Sequence, residues 1–166
     1  MSFKMDAFDK ASSYLALKPR TEAEIRNYLK NKEYSQSEID DAVEKLLEYR
    51  YLDDAAYAET FIRQAAERGW GKRKIEQNLA EKGVSRHALD EAWNRLEDEG
   101  GEDTAGIFDE KKRALEIGVK MTRQQLAEGK ELDEKFLNRV GRRLAGQGYQ
   151  ADSVYFVVNK LRGLKK

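Results

Sequence analysis

Residues 75–96 read IEQNLAEKGVSRHALDEAWNRL. The apolar positions Ile75, Leu79, Val84, Leu89, Trp93 and Leu96 are separated by steps of 4, 5, 5, 4 and 3. The same steps separate Ile25, Leu29, Tyr34, Ile39, Val43 and Leu46, and again Val140, Leu144, Tyr149, Val154, Val158 and Leu161. A step of 4 is one helical turn, two steps of 5 cross a tight inter-helix turn, and the closing 4 and 3 lie on the next helix. The turns read Lys32-Glu33-Tyr34, Lys82-Gly83-Val84 and Gln147-Gly148-Tyr149. Glycine in two of the three suits a left-handed helix cap. The unit is a helix-turn-helix pair with a fixed apolar ladder, present three times.

Each pair is preceded by a further apolar-periodic stretch. The first is Ala7–Leu17, closed by Pro19, the chain's one proline; the second is Asp54–Arg68; the third lies between Phe108 and Leu126. Thr21 with Glu24, and Ser35 with Glu38, have capping-box spacing and mark helix starts. The expected fold is therefore all-α, three tandem three-helix, helix-turn-helix-like repeats forming an elongated curved body. The expected repeats span residues 7–52, 53–98 and 103–163. Residues 99–102, acidic and glycine-rich, are read as a linker with a hinge near Gly100. Repeats of this size are marginal alone, so neighbours are expected to pack end to end.

Composition excludes several chemistries. The chain of 166 residues has no cysteine and one histidine, His87. Disulfides, zinc–thiolate sites and thiol nucleophiles are out, and a histidine-rich metal site has no material. No apolar run approaches a membrane span, and the opening MSFKMDAFDK lacks a signal core. A cytoplasmic monomer without metal or cofactor is the expectation. Gly71-Lys72 resembles the end of a phosphate-binding loop, but Ala66 stands where the first glycine belongs and Arg73 replaces the magnesium-binding hydroxyl. No enzymatic constellation is visible.

Lysine plus arginine equals aspartate plus glutamate at 31 each. That balance hides net charges of −1 over residues 1–52, −4 over 53–102 and +5 over 103–166. Arg63, Arg68, Lys72, Arg73 and Lys74 cluster around Trp70. Lys135, Arg139, Arg142 and Arg143 lie on the second helix of the third repeat, the three arginines at spacings that share a face. These ten residues are the candidate contacts. They read either as a solvated face with local ion pairs or as a surface for phosphates or an acidic protein. The helix-turn-helix pairs do not read as DNA readers, because the second helices of repeats 1 and 2 are rich in acid, including Asp40, Asp41, Glu44, Asp90 and Glu91.

A family resemblance follows from the motif order. Tyr51-Leu52-Asp53-Asp54, then Tyr57-Ala58 and Phe61-Ile62-Arg63, then Gly69-Trp70-Gly71-Lys72-Arg73-Lys74-Ile75 and Leu79-Ala80-Glu81-Lys82-Gly83-Val84, resemble the second repeat of RecX proteins. Tyr14-Leu15-Ala16, Arg20-Thr21-Glu22-Ala23-Glu24-Ile25 and Leu29 resemble the first. The resemblance implies a non-enzymatic negative modulator of the RecA recombinase. Such a protein lodges in the groove of the RecA–DNA filament and suppresses ATPase, strand exchange and filament extension during DNA repair, recombination and the SOS response. It implies contact roles for Arg63, Lys72, Arg73 and Lys74; the basic residues of repeat 3 come from charge alone. Gln147 stands where the family usually carries an arginine before its glycine–aromatic turn. The charge division suits weak contact with single- or double-stranded DNA, made beside a partner that already holds it. The alternatives are an autonomous nucleic-acid-binding helical module and a helical scaffold for another protein.

Overall fold

The computed structural model describes residues 3–99 and 109–165. Residues 100–102 of the expected linker, its hinge, and the expected start of repeat 3 at residue 103 lie outside them. The described residues form α1 (Ala7–Leu15), α2 (Glu22–Asn31), α3 (Gln36–Glu48), α4 (Asp54–Glu67), α5 (Lys72–Glu81), α6 (Arg86–Asp98), α7 (Glu110–Ala127), α8 (Glu134–Gly146) and α9 (Ala151–Arg162), then a 3-10 turn, Gly163–Lys165. No strand occurs among them, and no helix is long and apolar enough to cross a membrane.

Local signals place the helix starts. Thr21 accepts from the Glu24 amide while the Glu24 carboxylate takes the Thr21 amide, and Ser35 and Glu38 repeat the device. Asp6, Asp109 and Asp133 cap α1, α7 and α8 through their side chains. The α1 helix stops two residues short of the expected Leu17. Pro19 disfavours helical backbone at Lys18, and the chain leaves the helix before reaching it.

The first two ladders are buried except for Trp93, which is half-buried. The third departs on α9. Val154 and Val158 are half-buried, and the fully buried positions are Ser153, Val157 and Leu161. In the first two repeats the position of Val157 holds Ala42 and Ala92, both buried. A valine fits there because Gly118 of α7 faces it: a Cβ on Gly118 would lie 2.7 Å from Val157 Cγ1.

The contacts divide the chain into two compact units, Met1–Thr60 with Asn78–Asn94 and Phe61–Gln77 with Arg95–Lys166. In the first unit α1, α2 and α3 pack on one another around Ile25, Leu29, Val43 and Leu46. In the second, α9 packs on α7 and α8 around Leu137, Val140, Leu144 and Tyr149.

Each unit also contains a junction between a helix start and a distant turn, built from corresponding positions. In the first, the Thr21 hydroxyl donates to the Lys82 carbonyl at 2.7 Å and the Glu22 amide donates to Asp54 Oδ1 at 2.9 Å. A Cβ on Gly83 would fall 2.3 Å from Ala23 Cβ. In the second, the Gly71 and Arg73 amides donate to the carbonyls of Gln147 and Gly148 at 2.8 and 3.1 Å, and the Lys72 amide to Glu110 Oε1 at 2.9 Å. A Cβ on Gly148 would fall 2.3 Å from Lys74 Cβ. In the second junction amides left unpaired at a helix start thus meet carbonyls left unpaired at a helix end, whereas in the first a hydroxyl reaches the carbonyl and the amide meets a carboxylate. The turn residues Gly83 and Gly148 have φ of 82° and 86°, and the equivalent Glu33 holds 62°. Glycine is needed at the first two positions both for that angle and for the close approach.

Candidate anion-binding groove

The ten candidate residues separate into groups. Arg63 pairs with Glu99. Trp70 lies edge-on to Phe61 at 6.2 Å, with Lys74 Nζ 4.2 Å from its ring centre. The Arg113 guanidinium donates to the Trp70 carbonyl. Arg73 Nη2 donates to the Ala145 carbonyl at 2.9 Å, and Lys72 Nζ lies 3.9 Å from Glu76. Trp70 and the Lys72–Lys74 run therefore belong to the second unit's own junction.

The remaining cations converge. A groove of about 900 Å³ in the second unit is walled by Arg68, just past α4, by one face of α7, and by the polar face of α8. Arg139, Arg142 and Arg143 project from α8 because Val140 and Leu144 turn inward to the core. From α7, Lys120 lies beside Ile117, Met121 and Gln124, at spacings that share a face. Gln147 also lines the groove. Lys135 instead lines a neighbouring hollow of about 500 Å³ at the start of α8, together with Arg139 and Arg142.

Convergence rather than lack of pairing distinguishes the groove, since cations such as Lys18, Lys82 and Arg123 also make no ion pair among the described residues. Elsewhere Arg26 meets Glu22 at 2.9 Å and Asp40 at 2.7 Å, Arg86 meets Asp90 at 3.0 Å, and Lys111 meets Asp152 at 3.4 Å. Among the described residues Arg68, Lys120, Arg142 and Arg143 make no ion pair. Arg139 donates to Gln125 Oε1 at 2.7 Å, which aims its head without neutralising it. Glu128 on the rim is already engaged: its hydrogen bond from Lys130 holds its carboxyl below the usual glutamate range. The other rim carboxylate is Glu67. The groove is thus a cationic concavity with an aliphatic floor, able to bind anions through forked guanidinium contacts. No group of His, Cys, Asp and Glu among the described residues is arranged to hold a metal.

Sequence reasoning brought Arg139, Arg142 and Arg143 together through their spacing. It missed Lys120, although Ile117, Lys120, Met121 and Gln124 carry the same kind of signal.

Comparison with known proteins adds the family. The model for the first three-helix domain of RecX matches residues 7–46, and that for the second matches residues 53–92. A Clostridium beijerinckii protein named Regulatory protein RecX is 32% identical over 143 residues, covering 86% of this chain and 62% of that protein. The chain belongs to the RecX family. A Regulatory protein RecX from Halalkalibacterium halodurans is 35% identical over 130 residues, covering 74% of this chain and 49% of its own length. The chain spans about three fifths of the length of its Clostridium relatives, 62% and 61% for the beijerinckii and tetani RecX proteins. The fold is that of solved RecX proteins. The crystal structure of RecX from Lactobacillus salivarius matches with a TM-score of 0.75 over 94% of both chains at 18% identity. A second RecX crystal structure matches with a TM-score of 0.69 over 92% of this chain and 70% of that one, at 21% identity.

Proposed function

We propose that this chain is a non-enzymatic negative modulator of the RecA recombinase. It binds the RecA–DNA filament in the cytoplasm and lowers ATP hydrolysis, strand exchange and filament extension. The observation that carries the reading is the groove of unpaired cations on a chain of RecX-family repeats. A filament presents both acidic protein surface and phosphate, and unpaired arginines gain most where they meet an anion away from bulk water. The test adds the full chain to RecA on single-stranded DNA and follows ATP hydrolysis. Inhibition at or below stoichiometric amounts is expected, weakened by Arg142→Glu with Arg143→Glu. Unaltered hydrolysis, with filaments unchanged by electron microscopy, overturns the reading.

The same unpaired cations favour one other reading, an autonomous nucleic-acid binder. It requires affinity for a bare oligonucleotide that falls steeply with salt and is lost in the double arginine variant.

A further inference from the structure

We infer that the groove of the second unit docks an acidic polypeptide segment bearing an aliphatic side chain among its carboxylates. The inference rests on the groove being a contact surface, as the proposed function does, but not on the identity of the partner.

Charge gives the first requirement. Arg68, Lys120, Arg142 and Arg143 are exposed, line one concavity and have no carboxylate partner among the described residues, in a chain whose net charge is zero. Arg139, Arg142 and Arg143 sit three and four residues apart, so the face they share repels itself until an anion arrives. Guanidinium forks match the planar carboxylate as well as phosphate.

The floor gives the second requirement and separates the two kinds of anion. Ile117 and Met121 are half-buried and pack on the core while also facing the groove. Both are aliphatic, and no aromatic residue among the described residues lines the groove. Single-stranded nucleic acid is held where bases stack on aromatic faces between cations, and that platform is missing. A leucine or isoleucine side chain fits an aliphatic floor, and methionine adapts its shape to it. Glu67 on the wall opposes an unbroken run of phosphates but leaves room for spaced carboxylates. The amides of Gln124 and Gln147 can serve a peptide backbone, as either donors or acceptors.

The experiment uses the full chain and fluorescence anisotropy. The probes are a labelled peptide of glutamate and leucine, the same peptide with serine replacing leucine, and a thymidine oligonucleotide of equal charge. Two variants are compared, Arg68→Glu and Arg142→Glu with Arg143→Glu; these exposed side chains make no hydrogen bond or ion pair among the described residues, and circular dichroism checks the fold. The leucine peptide is expected to bind, about tenfold tighter than the serine peptide because one aliphatic side chain leaves water, and tighter than the oligonucleotide. Each variant is expected to weaken it by about tenfold or more. An oligonucleotide that binds more tightly than the leucine peptide overturns the inference in favour of nucleic acid. Equal binding of the two peptides, or wild-type affinity in both variants, overturns it as well. Recombinase inhibition is scored separately. Peptide binding without inhibition removes the proposed function and keeps this inference, and inhibition without peptide binding does the reverse.

Discussion

Gly71→Ala adds one carbon and tests whether the second unit's junction is as tight as its geometry states. The new Cβ would lie 2.4 Å from the carbonyl carbon of Gly148, 2.4 Å from the Tyr149 nitrogen and 2.5 Å from the Gly148 oxygen. All three are backbone atoms, so no side chain can rotate away. Ordinary contact needs about 1 Å more, and a junction opened that far loses the Gly71 and Arg73 hydrogen bonds to the turn, now 2.8 and 3.1 Å long. Two such bonds contribute about 2 kcal/mol together. Overpacking adds about 1–3 kcal/mol, so the expected loss is about 3–5 kcal/mol. Gly146→Ala is the matched control. It makes the same change at the end of α8, where a Cβ meets nothing within 4 Å, and should gain about 0.5–1 kcal/mol. Urea denaturation reads the stability, and hydrogen exchange reads the Arg73 amide, whose protection should fall in the Gly71 variant alone. Amides of the first unit's junction, such as Glu22, should keep theirs. A Gly71→Ala protein within about 0.5 kcal/mol of wild type, with the Arg73 amide still protected, would refute the junction as described.

Three further predictions follow from other contacts. Gly118→Ala should cost about 1–3 kcal/mol because its Cβ meets Val157 Cγ1 at 2.7 Å, and Val157→Ala in the same chain should rescue it; additive losses in a double-mutant cycle by urea denaturation would break the pairing. Burial raises the Asp54 carboxyl above its ordinary 3.8 although the Glu22 amide opposes the shift, so the folded state holds this proton more tightly and loses stability as pH rises from 3.8 through the raised value. Asp54→Asn keeps an acceptor without the charge and should pull ahead of wild type over that window, whereas parallel stability–pH curves would count against it. Gln147→Arg adds a cation to the groove wall and should tighten the leucine peptide about two- to fivefold in the anisotropy assay, with unchanged affinity contradicting the groove's assignment.

The helices were legible because their signals are local. Thr21 and Glu24 lie three residues apart, and a capping box needs nothing else. The apolar ladders were legible because each helix repeats its own period, and where repeat 3 departed the reason was remote. Val157 could take the buried place only because Gly118, on another helix, left room for it. The junctions were hidden for the same reason. Glu110 accepts from the Lys72 amide 38 residues away and from the Ser153 hydroxyl 43 residues away, and no spacing rule reaches that far. Lys72, Arg73 and Lys74 therefore read as one basic patch with Trp70, whereas the helix start that carries them is occupied by the turn around Gly148. The α8 arginines could be grouped from the sequence because one helix carries all three.

The chain's charge balance bears on where function resides. Exposed ion pairs such as Arg86 with Asp90 contribute little to stability, so their presence elsewhere needs no special account. Like charges gathered on one helix face do. Arg139, Arg142 and Arg143 repel one another across a single helix face, at about 0.2–0.5 kcal/mol per pair. A glutamate at any of the three positions would turn repulsion into attraction without disturbing Val140 or Leu144, which face the other way. The fold therefore does not require these cations, and it carries their mutual repulsion as a small standing cost. An arriving anion relieves that repulsion in addition to making its own contacts. The groove is in this sense charged in advance for binding, and a net charge of zero conceals it because most of the compensating acids lie elsewhere in the chain.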